Sequence, residues 1–514
     1  MTQTSEETEV VIQNCPMAEG GTENLGRRTA RGGAIVFAAM LLQKALGLGI
    51  LAVLARLLTP EDYGLFGMVL AMTAFLGIFQ DLGLSLAAVQ KADLTHAQVS
   101  TLFWINLGFG VLLSALAAAA APLVAAFYGE PRLVSVTLWC ALGFTLAALG
   151  TQHGALLRRR MQFGRLALCQ VGSLLVGGAL GIGMALRGYG VHALVAQTLG
   201  AAGTRGLLTW VFAAWIPGRL VRGSGVRGML RFGGYLTAFN VLNYFARNLD
   251  KVLLGRFWGA APLGLYTRAY TLMMLPIGLV SAPMATVMIP ALAKLQRDEA
   301  RLRQAYLRSL QIIGLASFPI MALLLMTAEE VIAVVFGPRW SAAAPLFRVL
   351  CIAGFWQGIY NATGQVFVAS GRTDRMWRVG MAASAVLTAA FAVGLPWGPQ
   401  GVAWAYALGL CGILLPYLRY TYATVCLGLG QTARQLWGPL LSSLAVIPAV
   451  AVAKFFVPSD LPAVFRLGVC LLVGGATFSA AAFVTCPAVV KQAARHVFSL
   501  VLPSRVPEQV RPPS

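Results

Sequence analysis

ARLLTPEDYGLFG, residues 55–67, and GRFWGAAPLGLYT, residues 255–267, are two versions of one phrase. Each places an arginine, Arg56 or Arg256, at the end of an apolar run, reaches a Gly-Leu-aromatic turn eight residues later, and then enters a second apolar run. The correspondence continues at a slightly larger offset. Cys140, Gly143 and Phe144 answer to Cys351, Gly354 and Phe355, and Gly190-Val191 answers to Gly401-Val402. The chain is a tandem duplication whose offset grows from two hundred to two hundred and eleven residues, so the second copy carries an insertion between Gly264 and Cys351. In an apolar protein, parallel repeats of this size point to a transporter with its substrate path between two related lobes.

The chain has 514 residues, of which 58% are hydrophobic and only 11% charged, with a mean hydropathy of +0.74. A soluble domain carries roughly 25% charged residues. Apolar runs near the roughly 20 residues of a membrane-crossing helix include Gly33 to Leu58, Val99 to Leu123, Ala342 to Val368 and Leu467 to Cys486. About fourteen such runs are expected, separated by short, turn-rich intervals with no room for an extramembrane domain. Segments of ~10 residues with alternating polarity, the mark of a membrane barrel, are absent. The expected fold is an all-α integral membrane bundle: two pseudo-symmetric six-helix lobes plus two C-terminal helices.

Residues 1–25 read as a polar cytoplasmic tail, 26–217 as the N-lobe, 218–227 as a basic linker, 228–428 as the C-lobe, 429–490 as the two added helices and 491–514 as a second tail. The first apolar run is too long, starts too late and contains Lys44, so a cleavable signal is not expected. The amphipathic segment Leu295 to Leu310 reads as a surface helix and accounts for the insertion, since the matching loop, Gln90 to Gln98, is far shorter.

The net charge of +21 resides mostly in alternate loops, for example Arg158 to Arg160, Arg219 to Arg231 and Arg372 to Arg378. That is the positive-inside pattern. It places both termini in the cytoplasm and argues for topology rather than nucleic-acid binding. Trp258, Trp340 and Trp397 are expected at outer helix ends and Trp104, Trp215 and Trp377 at inner ends. The eight cysteines show no CxxC spacing and the four histidines are dispersed, so neither a metal site nor a cofactor is expected. Nor does any HExxH, P-loop or nucleophile elbow occur.

Ionisable groups within membrane spans are costly and need a reason. The seventh span, Arg231 to Phe257, holds an exceptional set: Asn240, Asn243, Tyr244, Arg247 and Lys251 fall on one helical stripe, with Asp250 at its edge. Two readings stand. Arg247 and Asp250 could neutralise each other and pin helix packing, or the stripe could line a watery cavity whose net positive charge attracts an anionic substrate. The first span adds Gln43 and Lys44 at the matching position. Arg56 and Arg256 are candidates for an outer mouth or for headgroup snorkelling, and Asp81 for ion coupling or helix bracing. Glu329 and Glu330 are expected to be solvated. Pro276, Pro283, Pro290 and Pro319 are expected to kink their spans, as hinges or as static bends.

ARLLTPEDYGLFG, FQDLGLSLAAVQK (79–91), the stretch NYFARNLDKVLLGRFWGAAPLGLYTRAY (243–270) and PQGVAWAYALG (399–409) resemble the polysaccharide transporters of the multidrug/oligosaccharidyl-lipid/polysaccharide (MOP) exporter superfamily, in particular the Wzx-type, colanic-acid-exporter-like branch. The resemblance covers nearly all of residues 26 to 490. It implies a MOP/MATE-like fold and a flippase working by alternating access in a bacterial inner membrane. The implied substrate is an undecaprenyl-diphosphate-linked oligosaccharide, moved outward for exopolysaccharide, capsule or O-antigen synthesis. Membrane lipids are implied partners and the polymer-assembly machinery a candidate one. The family's cationic cavity maps loosely onto Lys44, Arg247 and Lys251.

Rival expectations are a peptidoglycan-precursor flippase on the same plan and a cation-coupled drug antiporter. The antiporter would favour acidic cavity residues. A membrane glycosyltransferase or polymerase would show a sizeable outer loop bearing carboxylates or arginines, and this chain has none, so no enzyme is expected.

Overall fold

The computed structural model describes residues 22–81, 83–90, 94–220, 244, 248–296, 298–425, 427–458 and 460–487. Among them there is no strand. The first repeat is built from α1 (Thr22–Leu57), α2 (Pro60–Gly77), the short α3 (Leu84–Gln90), α4 (His96–Tyr128), α5 (Leu133–Arg159), α6 (Phe163–Leu186) and α7 (His192–Ala213). The second runs through α8 (248–258), α9 (Ala260–Lys294), α10 (Glu299–Met326), the short α11 (Ala328–Val335), α12 (Ala343–Ala369), α13 (Thr373–Gly394) and α14 (Gly398–Val425). Beyond the repeats lie α15 (Leu429–Leu444), α16 (Val446–Phe456) and α17 (Ala463–Thr485).

Ten helical stretches among the described residues are long and apolar enough to cross a membrane, two of them comprising a pair of helices, α13 with α14 and α15 with α16. α2, with Glu61 and Asp62 in its first turn, and α7, with Gln197 and Arg205, complete the helix order expected of the repeats. Most of the seventh span lies outside the described residues. The chain is a multi-pass, all-α membrane protein. Large apolar side chains such as Leu123, Leu186, Phe455 and Leu472 stand exposed on its helices, as lipid-facing residues do.

The helix starts follow from local chemistry. Thr59 caps α2 in a reciprocal box: its hydroxyl accepts from the Asp62 N–H at 3.2 Å and its own N–H donates to the Asp62 carboxylate at 3.0 Å, with Pro60 in the first turn. Thr95 and Gln98 form the same box ahead of α4. Small residues then let helices approach closely: Gly110 of α4 lies against Ala148 of α5, and Gly150 of α5 against Gly206 of α7.

By contact the described residues group into two compact units. One holds those of Met1–Arg268 with Val335–Ala342 and Phe391–Val402, and the other holds the remainder. This grouping follows packing, whereas the lobes 26–217 and 228–428 follow sequence correspondence.

Within the first unit the repeated phrases meet each other. A Cβ on Gly64 would lie 1.7 Å from the Ala260 carbonyl oxygen, and one on Gly264 would lie 1.8 Å from the Pro60 carbonyl oxygen. Positions 60 and 64 thus contact 264 and 260 reciprocally, the pattern of an isologous two-fold contact formed inside one chain. Leu263 packs toward Gly67, and Met68 toward Gly255. The repeat is therefore visible as a crossing of the first turns of α2 and α9.

Three expectations need correction. The segment from Leu295 is not a separate surface helix. From Glu299 it is the start of α10, one helix of 28 residues, because Leu302, Tyr306 and Leu310 are buried and continue the apolar stripe of the span. Trp340 is fully buried, its Nε1 donating to the Ala55 carbonyl at 2.7 Å and its ring set edge-on to Tyr63. Trp215 is buried as well, donating to His96 Nδ1 at 3.1 Å. These two tryptophans stand at helix ends but pack the interior instead of facing the membrane interface, since each finds a polar partner for its N–H inside. α9 remains helical through Pro276, Pro283 and Pro290, and α10 through Pro319.

Gly64→Ala or Gly264→Ala should cost at least about 3 kcal/mol of stability, because the added methyl meets backbone that cannot move aside. Gly47→Ala, where nothing lies within 4 Å, should be close to neutral. Thermal stability of the detergent-solubilised variants checks the contrast.

Candidate functional site

α8 enters its described part with three polar side chains in sequence. Asn248 Nδ2 donates to the Tyr244 carbonyl at 3.2 Å, and Lys251 Nζ donates to Asn248 Oδ1 at 3.0 Å. The Tyr244 hydroxyl bonds to the Ala71 carbonyl of α2, and its ring lies 5.6 Å from Phe75. Tyr244, Asn248 and Lys251 thus form one connected polar file, all partly buried. Its order follows from the i+3 and i+4 steps of the sequence.

Asp250 turns to the other side. It is 4% exposed, and one carboxylate oxygen accepts from the Tyr266 hydroxyl at 2.9 Å. The second oxygen has no partner among the described residues. Tyr266 is the aromatic residue of the repeated Gly-Leu-aromatic phrase, so the phrase that closes the α2–α9 crossing also positions this carboxylate.

Asn240, Asn243 and Arg247, expected on the same stripe, lie outside the described residues. Lys44 is exposed on α1. Arg256 is exposed with its guanidinium 5.7 Å from the centre of the Phe127 ring. Its counterpart Arg56 is exposed too, running its stem past Gly337. Asp81 sits between α2 and α3, where one carboxylate oxygen accepts from both the Ser85 hydroxyl at 2.7 Å and the Ser85 N–H at 3.1 Å. The structure joins Tyr244 and Lys251 through Asn248, places Asp250 beside Tyr266, and holds Asp81 in a separate setting. No group of three or more His, Cys, Asp or Glu suited to a metal ion occurs among the described residues.

Two polar features were not anticipated. Arg268, two residues beyond Tyr266, holds its guanidinium 4.6 Å from the Tyr63 ring centre. Tyr63 and Arg268 flank the two crossing glycines, which is the only sequence signal that points to them. The other is an ion triad in the second unit. Glu330 on α11 is 2% exposed, and its two oxygens bond Lys454 Nζ at 2.7 Å and Arg466 Nη2 at 2.8 Å.

The expectation of a solvated Glu330 is therefore wrong, whereas Glu329 is exposed and pairs with Arg348 at 2.9 Å. The reason is that the partners of Glu330 come from α16 and α17, over a hundred residues away. Burial alone would raise the Glu330 carboxyl, but the bonds and charges of Lys454 and Arg466 hold it below its usual value.

A family profile described as "Polysaccharide biosynthesis protein" matches residues 53–345, more than half of the chain. The chain belongs to this family. It is 30% identical over 326 residues to "Teichuronic acid biosynthesis protein TuaB" of Bacillus subtilis (strain 168), covering 63% of this chain and 67% of that protein. It is 27% identical over 411 residues to "Lipopolysaccharide biosynthesis protein WzxC" of Escherichia coli (strain K12), covering 78% and 82%. "Succinoglycan biosynthesis transport protein ExoT" of Rhizobium meliloti (strain 1021) is 26% identical over 301 residues, covering 59% and 61%.

Among solved structures, "Lipid II flippase MurJ, inward closed conformation" superimposes with a TM-score of 0.69 at 15% identity, covering 87% of this chain and 98% of that one. An inward-facing multidrug resistance MATE family transporter of the MOP superfamily gives 0.61 at 16% identity, covering 75% and 94%. The fold of this family member is the MOP/MATE fold.

Glu330→Gln should weaken the attachment of α16 and α17, because it removes the carboxylate that balances two cations. The loss should fall somewhat under the roughly 3–5 kcal/mol of a fully buried pair broken on one side, since Lys454 and Arg466 side chains are 24% and 29% exposed. The folded carboxyl is held below its unfolded value, so the triad contributes in full above about pH 4.5 and is lost as the pH falls through the lower folded value. Melting curves of wild type and variant should therefore differ at neutral pH and converge in acid.

Proposed function

We propose that this protein is a flippase that carries a polyprenyl-diphosphate-linked oligosaccharide repeat unit across a bacterial inner membrane, for the synthesis of exopolysaccharide, capsule or O-antigen. The observation that carries this reading is membership of the polysaccharide biosynthesis family over a segment that contains the polar seventh span. Relatives named for teichuronic acid, lipopolysaccharide and succinoglycan biosynthesis support a lipid-linked glycan as the cargo. On this reading the lipid is undecaprenyl diphosphate, both termini are cytoplasmic, and the polymer-assembly machinery receives the product.

The chemistry of the cargo assigns roles to the residues. A diphosphate passing the membrane centre needs compensating positive charge while its polyprenyl tail stays in lipid. Lys251, Arg247 and Lys44 supply that charge. Asn240, Asn243 and Tyr244 offer hydrogen bonds to phosphate or sugar oxygens. Asp250, held by Tyr266, balances the charge on α8, and Arg56 and Arg256 stand at the outer mouth. The lobes 26–217 and 228–428 alternate access, and Asp81 couples the cycle to an ion. The protein is a carrier and not an enzyme, since no bond in the cargo needs to break.

The fold likeness to a lipid II flippase favours one second reading, a peptidoglycan-precursor flippase. Deleting the gene separates the two: lipid-linked repeat units of an exported glycan should accumulate in the inner leaflet while lipid II flipping continues. Arg247→Ala should abolish polymer export with the protein still folded in the membrane. Lys251→Ala, which removes one charge-assisted contact, should reduce export by about 10- to 100-fold. Normal export from both variants would remove these cations from the mechanism.

A further inference from the structure

α12 bears a polar stripe in the middle of a membrane span. Of the ten apolar stretches it is the least apolar and the most deeply buried. One side is sealed against α10, where Gly358 lies against Ile313 and Ser317. On another side Trp356, Gln357, Tyr360, Asn361 and Gln365, linked by i+3 and i+4 steps, all remain partly open. Acyl chains are a poor neighbour for three amides and an indole N–H, and the rest of the helix is enclosed, so this stripe turns to water or to a ligand.

The stripe is ordered by its neighbours. The Tyr406 hydroxyl of α14 donates to Gln357 Oε1 at 2.8 Å, and Gln357 Nε2 donates to Asn361 Oδ1 at 3.1 Å. The relay runs in one direction and ends on the Asn361 N–H₂ group as a donor. That nitrogen, the Gln365 amide and the Trp356 indole N–H make no hydrogen bond among the described residues. The Tyr360 ring stacks on Tyr417 of α14, with centroids 4.5 Å apart and planes 27° from parallel. Tyr417 is itself buried and holds that ring in place. All these residues belong to the second compact unit. Between Arg348 and Arg372 the chain has no charged residue.

We infer that Trp356, Gln357, Tyr360, Asn361 and Gln365 form a glycan-binding face for neutral, hydroxyl-rich sugar rings. The C–H face of a pyranose lies well on an aromatic ring, whose own face is electron-rich. Sugar hydroxyls both donate and accept, as amide side chains do. A few fixed polar groups among aromatic ones is also the usual make-up of a small-ligand site. The alternatives fit less well. A phosphate or carboxylate calls for a cation, which the stripe lacks, and an acyl tail would leave its amides unpaired. The inference deepens the flippase reading and rests on it for the identity of the ligand, the sugar portion of the cargo.

The full-length protein, purified in a detergent without a sugar headgroup, is mixed with neutral oligosaccharides released by partial acid hydrolysis of the polymer that the host strain exports. Saturation-transfer NMR should show signal passing from the protein to the sugar ring protons. Tyr360→Phe keeps the ring and should retain binding, whereas Tyr360→Leu and Asn361→Leu should each weaken it by about tenfold, the worth of one good contact. Gln365→Leu should lose affinity while melting at the same temperature or higher, because it removes an amide with no partner in the protein. A purely structural role would instead lower the melting temperature and spare the binding. No transfer to the sugars overturns the inference, as does transfer equal to wild type in both Asn361→Leu and Gln365→Leu. Should Tyr360→Leu fail to fold, Gln365→Leu decides. Sugar binding by a protein whose gene deletion leaves polymer export intact would uphold the face and retire the flippase reading. A deletion that halts export, combined with failure of the binding test, would retire the face alone.

Discussion

The crossing of α2 and α9 rests on the absence of two side chains. At Gly64 and Gly264 the backbone of one repeated phrase lies against the carbonyl of the other, so close that any Cβ would fall within 2 Å of an oxygen. Much else is arranged around that approach. Thr59 and Asp62 fix where α2 begins, Tyr63 next to Gly64 receives the Arg268 guanidinium, and Tyr266 two residues past Gly264 reaches Asp250. A steric constraint in the backbone thus sets the position of the charged and aromatic groups beside the polar seventh span.

Charge is used sparingly in this chain, and where it is buried it is given partners. Glu330 binds two cations and thereby fastens the helices that follow the repeats. Asp250 has one hydroxyl, Lys251 has Asn248, and Arg268 has an aromatic face. In an apolar surrounding an unpaired charge is expensive, so such groups are kept where they serve packing or cargo. The Glu330 triad falls in the first category. Lys251, at the end of a polar file anchored to α2 through Tyr244, is the group best suited to the second.

Much of this was legible before any coordinates. The duplicated phrase and the apolar runs are local patterns, and the helices fall where those patterns put them. That Tyr244 and Lys251 share a face was readable, because helical spacing alone decides it, whereas Asn248, which links them, was not on the expected stripe. Glu330 was misread because its neighbours in sequence suggest a helix end in water, and only the return of α16 and α17 encloses it. Trp340 and Trp215 were misread likewise. A tryptophan near a span end looks interfacial until Ala55 or His96 is brought to its N–H.

The sequence by itself determined a duplicated, helical membrane protein and its family, because hydropathy and repetition act over a few residues at a time. Only the tertiary structure decided that Gly64 and Gly264 face each other's backbone, that Asp250 faces Tyr266, and that Glu330 meets Lys454 and Arg466. Those are meetings of surfaces from different helices, set by which side chains are small enough to admit them. No spacing along the chain encodes that choice.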